Sequence, residues 1–180
     1  MIPTVAGALV IPEFDVTLGL GSNLGDREAQ LRRAIDLLEV REIAVPHAVS
    51  AIFAGPALGP PQPDYLNQVV VARTRLEPLS LLAALKRLEC ELGRTPTERW
   101  GPRVIDLDIL DFDGRELSLP GLELPHPGIA EREFVLVPWN ELAPQRQVPG
   151  TARTVAELLS VLQSRRLDGS GSPASAGVAP

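Results

Sequence analysis

The sequence predicts an α+β fold in which a mixed or antiparallel sheet of the ferredoxin-like type is flanked by helices. Two observations lead to this prediction. Segments with strand and helix periodicity follow one another in the order βαββαβ, with further elements added. The second and third strands are joined without a helix between them, which does not fit a doubly wound parallel sheet. Fold class alone does not define a function.

The first half of the chain contains two strands and a helix. Residues 14–20 form the first predicted strand, and a glycine-containing turn joins it to the helix. The apolar side chains at helical spacing are Leu31, Ala34, Ile35 and Leu38. A second strand is expected within residues 43–53. Residues 54–64, which we call the Pro-rich loop, contain too much proline and glycine for a periodic element.

The third predicted strand covers residues 65–74, and the helix after it begins at Pro78, where proline is tolerated. Gly93 is expected to end this helix as its C-cap. The buried stripe of the helix consists of Leu81, Ala84, Leu85, Leu88 and Leu92. Cys90 falls within the same helix and is predicted to be a small core residue.

Three more elements follow. A fourth strand is predicted at 103–112, a fifth at 133–139 and a last helix at about 152–163. The Ser-, Gly- and Pro-containing segment after this helix has the composition of a disordered tail. The predicted organisation is an N-terminal extension at 1–13, one domain at 14–163 and the tail at 164–180.

The composition argues against several classes of protein. The chain of 180 residues has a formal net charge of -6 and a pI of about 5.0, so broad electrostatic binding to nucleic acid or to an anionic membrane is not expected. A single cysteine excludes an intrachain disulfide and favours a reducing compartment. The start of the chain lacks the basic residues of a secretory signal. We therefore expect a cytoplasmic protein, and a monomer.

A carboxylate pair lies in the segment RWGPRVIDLDIL. Asp106 and Asp108 share one face of a strand, opposite to its apolar face, because side chains alternate along a strand. Two positions along one face separate the carboxylates by roughly 6–7 Å. This spacing suits Mg²⁺, which takes one or two carboxylates and completes its shell with water and substrate phosphates. The alternative is the solvated outer face of an antiparallel strand.

A basic segment precedes this pair. Residues 86–103 contain Lys86, Arg87, Arg94, Arg99 and Arg103 against Glu89, Glu91 and Glu98, a local charge of +2. Arginine forks bind phosphate oxygens, and carboxylates hold the metal that accompanies them. Together the two groups indicate a nucleoside triphosphate. Structural ion pairs are the alternative explanation for the arginines.

The glycine-rich stretch GLGSNLG at 19–25 does not match a nucleotide-binding loop. The dinucleotide fingerprint needs a third glycine where Leu24 stands, and the chain contains no Walker A sequence. Turn geometry is a sufficient explanation for these glycines. A bound nucleotide must then be held by side chains and metal ions.

Five motifs occur in register along the chain: GLGSNLGD, LGPPQPDYLN, LKRLECELGR, RWGPRVIDLDIL and PHPGIAEREFVLVP. Over about residues 14–160 they resemble the 6-hydroxymethyl-7,8-dihydropterin pyrophosphokinase family. The resemblance implies an enzyme of folate biosynthesis that transfers the β,γ-diphosphate of ATP to the hydroxymethyl group of a dihydropterin. AMP is the second product.

The resemblance also implies site residues. Asp106 and Asp108 match the pair that holds two Mg²⁺ ions between ATP and the substrate hydroxyl. The catalytic set is Arg94, Arg103, Asp106 and Asp108. The residues that match pterin contacts are Gly55, Pro56, Leu58, Tyr65, Asn67, Glu89, Trp100 and Phe134. The residues that match contacts to ATP, the co-substrate, are Arg94, Arg99, Trp100, Arg103, Ile109, His126 and Arg132.

Part of the pterin site follows from the residues themselves. Tyr65 and Asn67 lie two positions apart at the start of a strand, so they share a face. A flat, hydrogen-bonding heterocycle needs an aromatic ring to stack on and an amide for its edge. Taken singly, Tyr65 and Phe134 are more typical of core aromatics, and Glu89 of a charge at the margin of a helix stripe.

The chain departs from the family pattern at four positions. Lys86 stands where a glutamine is usual, and Gly55 where a threonine is usual. Pro96 replaces an arginine, so one mobile phosphate contact is missing or is supplied by Arg99. Pro127 replaces the usual aromatic or polar residue after the histidine.

Two other functions stay open. Another Mg-ATP phosphotransferase of the same fold, an ordinary kinase, would transfer only the γ-phosphate and leave ADP. The other is a ferredoxin-like binding module for RNA or a small regulator. An RNA-binding sheet would show stacked aromatics and a basic surface. The strands at 65–74 and 103–112 have neither feature, so the enzyme is favoured.

Overall fold

The computed structural model describes residues 12–96 and 100–167. Its centre is an antiparallel sheet of five strands: β1 (Phe14–Ser22), β2 (Val45–Val49), β3 (Phe53–Gly55), β4 (Tyr65–Thr74) and β5 (Asp106–Phe112). The order is β2-β4-β1-β5, and β3 also pairs with β4. β1 therefore lies between β4 and β5, and the predicted ferredoxin-like sheet is confirmed.

Helices cover both faces of the sheet. α1 (Arg27–Val40) and α2 (Pro78–Glu91) pack on one face. α3 (Glu133–Leu142) and α4 (Val155–Leu167) pack on the other, together with a short 3₁₀ helix (Ile129–Glu131). The remaining strands form two short hairpins: β6 (Leu117–Leu119) with β7 (Leu122–Leu124), and β8 (Gln147–Val148) with β9 (Arg153–Thr154). No helix of the described residues combines the length and the apolar composition of a membrane span.

α2 forms as its sequence predicts. Pro78 occupies the first turn, and the predicted apolar stripe is buried. Gly93 follows the C-cap with φ +95°, a left-handed conformation that glycine adopts without steric cost. Cys90 is exposed, so its prediction as a core residue is wrong. It lies within the helix but outside the buried stripe.

The predicted fifth strand at 133–139 is wrong, because this segment forms α3. Its valine, phenylalanine and tryptophan residues favour strands by propensity. In the structure Val135, Leu136 and Trp139 are buried at helical spacing in the apolar cluster on the second face of the sheet. Burial of this stripe outweighs both the propensity and the presence of Pro138 inside the helix.

Element ends differ from the predictions in several places. The single strand predicted within 43–53 forms two strands, β2 and β3, and β5 begins at Asp106, three residues after the predicted start at 103. β1 continues to Ser22, so the first glycines of the 19–25 stretch lie within a strand. The last helix begins at Val155 and continues to Leu167, four residues past its predicted end. The predicted extension up to residue 11 and the predicted tail from residue 168 lie outside the described residues.

Candidate active site

A cleft of about 250 Å³ opens on the face of the sheet that carries α3. Residues of β1, β4 and β5 form its floor, and α3, the Pro-rich loop and the loop that contains Trp100 form its walls. Eleven predicted site residues line it: Pro56, Leu58, Tyr65, Asn67, Trp100, Arg103, Asp106, Asp108, His126, Arg132 and Phe134. The residues assigned to the pterin and those assigned to ATP thus share one cleft.

The register of three strands builds the floor. Asn67 on β4 pairs with Gly21 on β1, and Gly21 pairs with Asp106 on β5, so the three form one row across the sheet. The next row consists of Val69, Gly19 and Asp108. Members of a row share a face, and strands are about 4.8 Å apart, so Asn67 and Asp106 are separated by about 10 Å.

The two glycines of β1 keep the middle of the floor open. A methyl group at Gly21 would lie 3.2 Å from Asn67 Oδ1, and one at Gly19 would lie 3.2 Å from the Leu110 side chain. Turn geometry therefore does not explain these glycines, and that interpretation is corrected. They leave space between the amide and the carboxylates.

Asp106 is held by two arginines. Nη1 of Arg94 donates to Oδ1 at 2.7 Å, and Nη1 of Arg103 donates to Oδ2 at 2.7 Å. Burial alone would lower the pKa of Arg94, but the carboxylates of Asp106 and Glu89 raise it above its ordinary value. The carboxylate therefore has a fixed orientation beside two cations that suit phosphate.

Glu89 lies behind the cleft, in contact with Arg94, and is buried, with 2% of its side chain exposed. Its Oε1 accepts hydrogen bonds from the Leu107 N–H and from Lys86 Nζ, both at 2.7 Å. Its Oε2 lies 2.5 Å from Arg94. Burial raises the pKa of Glu89 above its ordinary value, although Lys86, the Leu107 N–H and Arg94 act in the opposite direction. Glu89 is thus a buried carboxylate that binds Lys86 and Arg94, and not a charge at the helix margin.

Asp108 is the more open member of the pair, with 37% of its side chain exposed. Lys86 Nζ lies 3.8 Å from its Oδ1, and His126 Nε2 lies 4.0 Å from its Oδ2. Both distances exceed a hydrogen bond. This carboxylate therefore faces the cleft with its oxygens available to a ligand.

The acidic residues fit Mg²⁺ that is shared with a phosphate. The described residues contain no cluster of three or more His, Cys, Asp or Glu side chains that could hold a metal alone. Mg²⁺ does not need one, because one or two carboxylates, substrate phosphates and water complete its shell. Asp106 and Asp108, next to each other on the same face, supply that number of ligands.

Two aromatic rings also line the cleft. Tyr65 enters from the start of β4 and Phe134 from the first turn of α3. Burial, with a smaller effect of Asp106, raises the pKa of the Tyr65 hydroxyl, so it stays protonated at neutral pH. The Arg132 guanidinium lies 5.9 Å from the centre of the Phe134 ring. Phe134 reaches the cleft although it lies on a helix and not on the predicted strand.

Hydrogen bonds connect the two loops that border the cleft. Gln62 of the Pro-rich loop donates to the Trp100 carbonyl at 2.8 Å and accepts from Asn23 Nδ2 at 2.9 Å. The Arg103 N–H donates to Asn23 Oδ1 at 2.7 Å. A methyl group at Gly59, where φ is +103°, would lie 2.8 Å from Trp100 Cβ. Close approach of the loops therefore depends on a glycine and two amides.

Four predicted site residues within the described chain do not line the cleft: Gly55, Glu89, Arg94 and Ile109. Glu89 and Arg94 stand behind it. Gly55 ends β3. Ile109 is buried in the apolar cluster on the opposite face of the sheet, so its side chain points away from the cleft. Arg99 lies outside the described residues.

Nine lining residues were not predicted: Gly19, Leu20, Gly21, Ala57, Gln68, Val69, Gly101, Leu110 and Val135. On their strands, Gln68 and Val69 follow Asn67, and Leu110 follows Ile109. The pairing of β1 with β4 and β5 identifies the glycines, and that register is visible only in the structure.

Comparison with known proteins points to a family. The model of the family described as 7,8-dihydro-6-hydroxymethylpterin-pyrophosphokinase matches residues 17–144. A Pseudomonas aeruginosa protein named 2-amino-4-hydroxy-6-hydroxymethyldihydropteridine pyrophosphokinase is 42% identical over 146 residues, which cover 81% of this chain and 90% of that protein. The Synechocystis protein of the same name is 41% identical over 143 residues, 79% of this chain and 73% of that protein.

A crystal structure of Plasmodium falciparum HPPK-DHPS with pteroate has the same fold. The TM-score is 0.69 at 17% identity, and the match covers 87% of this chain but only 44% of the longer one. Fold and site together are typical of an α+β phosphotransferase. The chain belongs to the 7,8-dihydro-6-hydroxymethylpterin-pyrophosphokinase family. The predicted family and the predicted class of enzyme are thereby confirmed.

Proposed function

We propose that the chain transfers the β,γ-diphosphate of ATP to the hydroxymethyl group of 6-hydroxymethyl-7,8-dihydropterin in folate biosynthesis. The products are AMP and the pterin diphosphate. One observation supports this most strongly: Asn67, Gly21 and Asp106 form one row across the cleft floor. An amide suited to a pterin edge then lies about 10 Å from a carboxylate suited to a metal. The hydroxymethyl group is held between them.

The pterin binds at the Asn67 end of the cleft. The rings of Tyr65 and Phe134 enter from different elements and stack on the two faces of the heterocycle. The Asn67 amide bonds the edge, because it offers both a donor and an acceptor. The remaining pterin contacts in the lining of the cleft are Pro56, Leu58 and Trp100. Gly55 and Glu89 lie outside the lining, and Glu89 supports the site from behind through its contact with Arg94.

The triphosphate binds at the acidic end. Asp106 and Asp108 would hold two Mg²⁺ ions, which would neutralise phosphate charge and favour in-line displacement. Arg94 and Arg103, beside Asp106, bind phosphate oxygens as guanidinium forks. The remaining ATP contacts are Arg99, Trp100, His126 and Arg132. Ile109 could contact ATP only through its main chain, because its side chain lies on the opposite face of the sheet.

The chain contributes alignment more than acid–base chemistry. The pterin hydroxyl oxygen forms a bond to the β-phosphorus while the bond from that phosphorus to the α,β-bridging oxygen breaks, and the hydroxyl proton passes to solvent. Alignment of two bound substrates contributes about 7 to 11 kcal/mol, so no strong base is needed. The linked loops at the border of the cleft limit the access of water that would otherwise hydrolyse ATP.

Product analysis tests this proposal. The protein is incubated with ATP, Mg²⁺ and 6-hydroxymethyl-7,8-dihydropterin, and the nucleotides are separated, with a control that lacks the pterin. We expect pterin-dependent AMP in equal amount to pterin diphosphate. ADP in place of AMP would identify an ordinary kinase. No nucleotide product from a folded protein would favour a binding module.

Composition adds three expectations about partners and location. The net charge of -6 favours an enzyme without nucleic-acid or membrane partners, and the single cysteine favours the cytoplasm. A monomer is expected as well. These expectations, like the domain limits at 14–163, stay predictions.

A further inference from the structure

Lys86 is a cation beside the carboxylate pair that has no part in the proposed phosphate contacts. Its Nζ donates hydrogen bonds to Glu89 Oε1 at 2.7 Å and to the Leu107 carbonyl at 3.0 Å. The same nitrogen lies 3.8 Å from Asp108 Oδ1. The ammonium is therefore anchored to the protein on one side and faces a proposed metal ligand on the other.

The anchoring contacts do not depend on Asp108. Glu89 is buried, and it would lose a charged partner inside the protein if Lys86 turned away. The Leu107 carbonyl would lose a donor as well. The ammonium therefore stays in place when another group binds to Asp108. A divalent cation on that carboxylate then lies close to a fixed positive charge.

The formal charges of this cluster already sum to zero, because its three carboxylates (Glu89, Asp106 and Asp108) stand beside three cations (Lys86, Arg94 and Arg103). Arg94 and Arg103 contact Asp106, and Lys86 contacts Glu89 and stands beside Asp108. A divalent cation that arrives alone adds positive charge to a balanced cluster. The triphosphate of ATP brings negative charge with the cation, which offsets the repulsion.

We propose that Lys86 is a positioning residue that couples metal binding to nucleotide binding. Its anchored ammonium repels a lone divalent cation from Asp108, and the triphosphate removes this penalty. The cation is thereby held in place mainly when ATP is present. The inference rests on the proposed function, because it takes Asp106 and Asp108 as the metal ligands.

The test measures Mn²⁺ binding by electron paramagnetic resonance, with and without an ATP analogue that has a methylene group between the α- and β-phosphorus. Without the analogue, Lys86→Gln is expected to bind Mn²⁺ more tightly than the wild type, on the order of fivefold. With the analogue the difference is expected to be smaller, so nucleotide enhances Mn²⁺ affinity less in the variant. Lys86→Arg keeps the charge and is expected to bind Mn²⁺ as the wild type does.

Arg87→Gln is the matched control, because Arg87 is the adjacent residue, is exposed and carries the same charge. It is expected to leave both Mn²⁺ affinities unchanged. Glutamine at position 86 can still donate to Glu89, and thermal unfolding checks that each variant is folded. Lys86→Met, neutral and of similar length, repeats the test if Lys86→Gln is unstable.

The outcomes separate this inference from the proposed function. The inference alone is overturned if Lys86→Gln and Arg87→Gln bind Mn²⁺ with equal affinity in the absence of nucleotide, while the wild type binds Mn²⁺ and the analogue normally. Weaker Mn²⁺ binding by Lys86→Gln also overturns it, because Lys86 would then support the metal. A wild type that binds no Mn²⁺ even with the analogue overturns the metal site itself.

Discussion

The glycines of β1 and the charged residues around Asp106 define the site at the scale of single residues. Gly21 has no side chain, so nothing fills the space between Asn67 and Asp106. Arg94 and Arg103 each donate a hydrogen bond to one oxygen of the Asp106 carboxylate, and together they fix its orientation. The open floor would give the proposed pterin its space, and the fixed carboxylate would give the proposed metal a preformed ligand.

We expect Gly21→Ala to raise the KM for the pterin on the order of tenfold while the KM for ATP stays nearly unchanged. The new methyl group would lie 3.2 Å from Asn67 Oδ1 and 3.4 Å from Tyr65 Cδ1, where the pterin is proposed to bind. Steady-state kinetics on both substrates measure the effect. Gly19→Ala is the control, because its methyl group would meet the Leu110 side chain instead. A pterin KM equal to that of the wild type would contradict the assignment.

The sequence could predict the residues whose role depends on local spacing. Alternation along one strand was enough to pair Asp106 with Asp108 and Tyr65 with Asn67. The role of Gly21 depends on the pairing of three strands that lie far apart in the chain, and one sequence does not contain that register. The burial of Glu89 likewise depends on β5 packing against α2.

Secondary-structure elements differ in how far local sequence determines them. α2 has a proline at its start, a regular apolar stripe and a glycine after its end, and all three signals agree. α3 has residues that favour a strand, and only its packing against the sheet selects the helix. A short apolar run is compatible with either element, so the error at 133–139 has a physical cause.

The start of α4 provides a prediction at the element scale. The Thr154 N–H donates to Glu157 Oε2 at 2.8 Å, and the Glu157 N–H donates to Thr154 Oγ1 at 3.3 Å, a capping box. These bonds lower the pKa of Glu157 below its ordinary value of 4.5. A lowered pKa in the folded state means that this stabilisation is present above pH 4.5 and is lost as pH falls through the folded pKa.

Glu157→Gln is therefore expected to unfold more readily than the wild type at neutral pH, and the difference is expected to shrink as the pH falls below 4.5. Urea unfolding of both proteins over a pH series measures the free energy of unfolding. Glu39→Gln removes an exposed charge on α1 and serves as the control. A difference that stays constant with pH would contradict the role of the carboxylate in the cap.

At the scale of the whole molecule, the sheet separates two apolar clusters. The cluster under α1 and α2 packs against one face and, among the described residues, borders the cleft only through Leu20 of β1. The cluster under α3 and α4 contains the fully buried Trp139, and its members Val69, Leu110 and Val135 also line the cleft. Packing on the second face therefore supports the site directly, whereas packing on the first supports the sheet.

Two core variants are expected to separate stability from substrate binding. Leu136→Ala in α3 and Leu38→Ala in α1 each remove a fully buried side chain, at a cost of about 3 kcal/mol in the free energy of unfolding. Leu136→Ala is also expected to raise the KM for the pterin, because α3 carries Phe134 into the cleft. Leu38→Ala is expected to leave that KM unchanged. Urea unfolding and pterin kinetics measure both effects, and an equal rise in KM would contradict the division between the clusters.

Turnover by Asp108→Asn tests the central claim most directly, because Asp108 is the open carboxylate that faces the cleft. Pterin-dependent AMP formation at saturating Mg²⁺ is measured for this variant and for Asp113→Asn, which changes an aspartate in a turn outside the cleft. We expect Asp108→Asn to lose roughly a thousandfold in kcat with unchanged thermal unfolding, and Asp113→Asn to match the wild type. Wild-type turnover by Asp108→Asn would contradict the assignment of pyrophosphoryl transfer to this carboxylate pair.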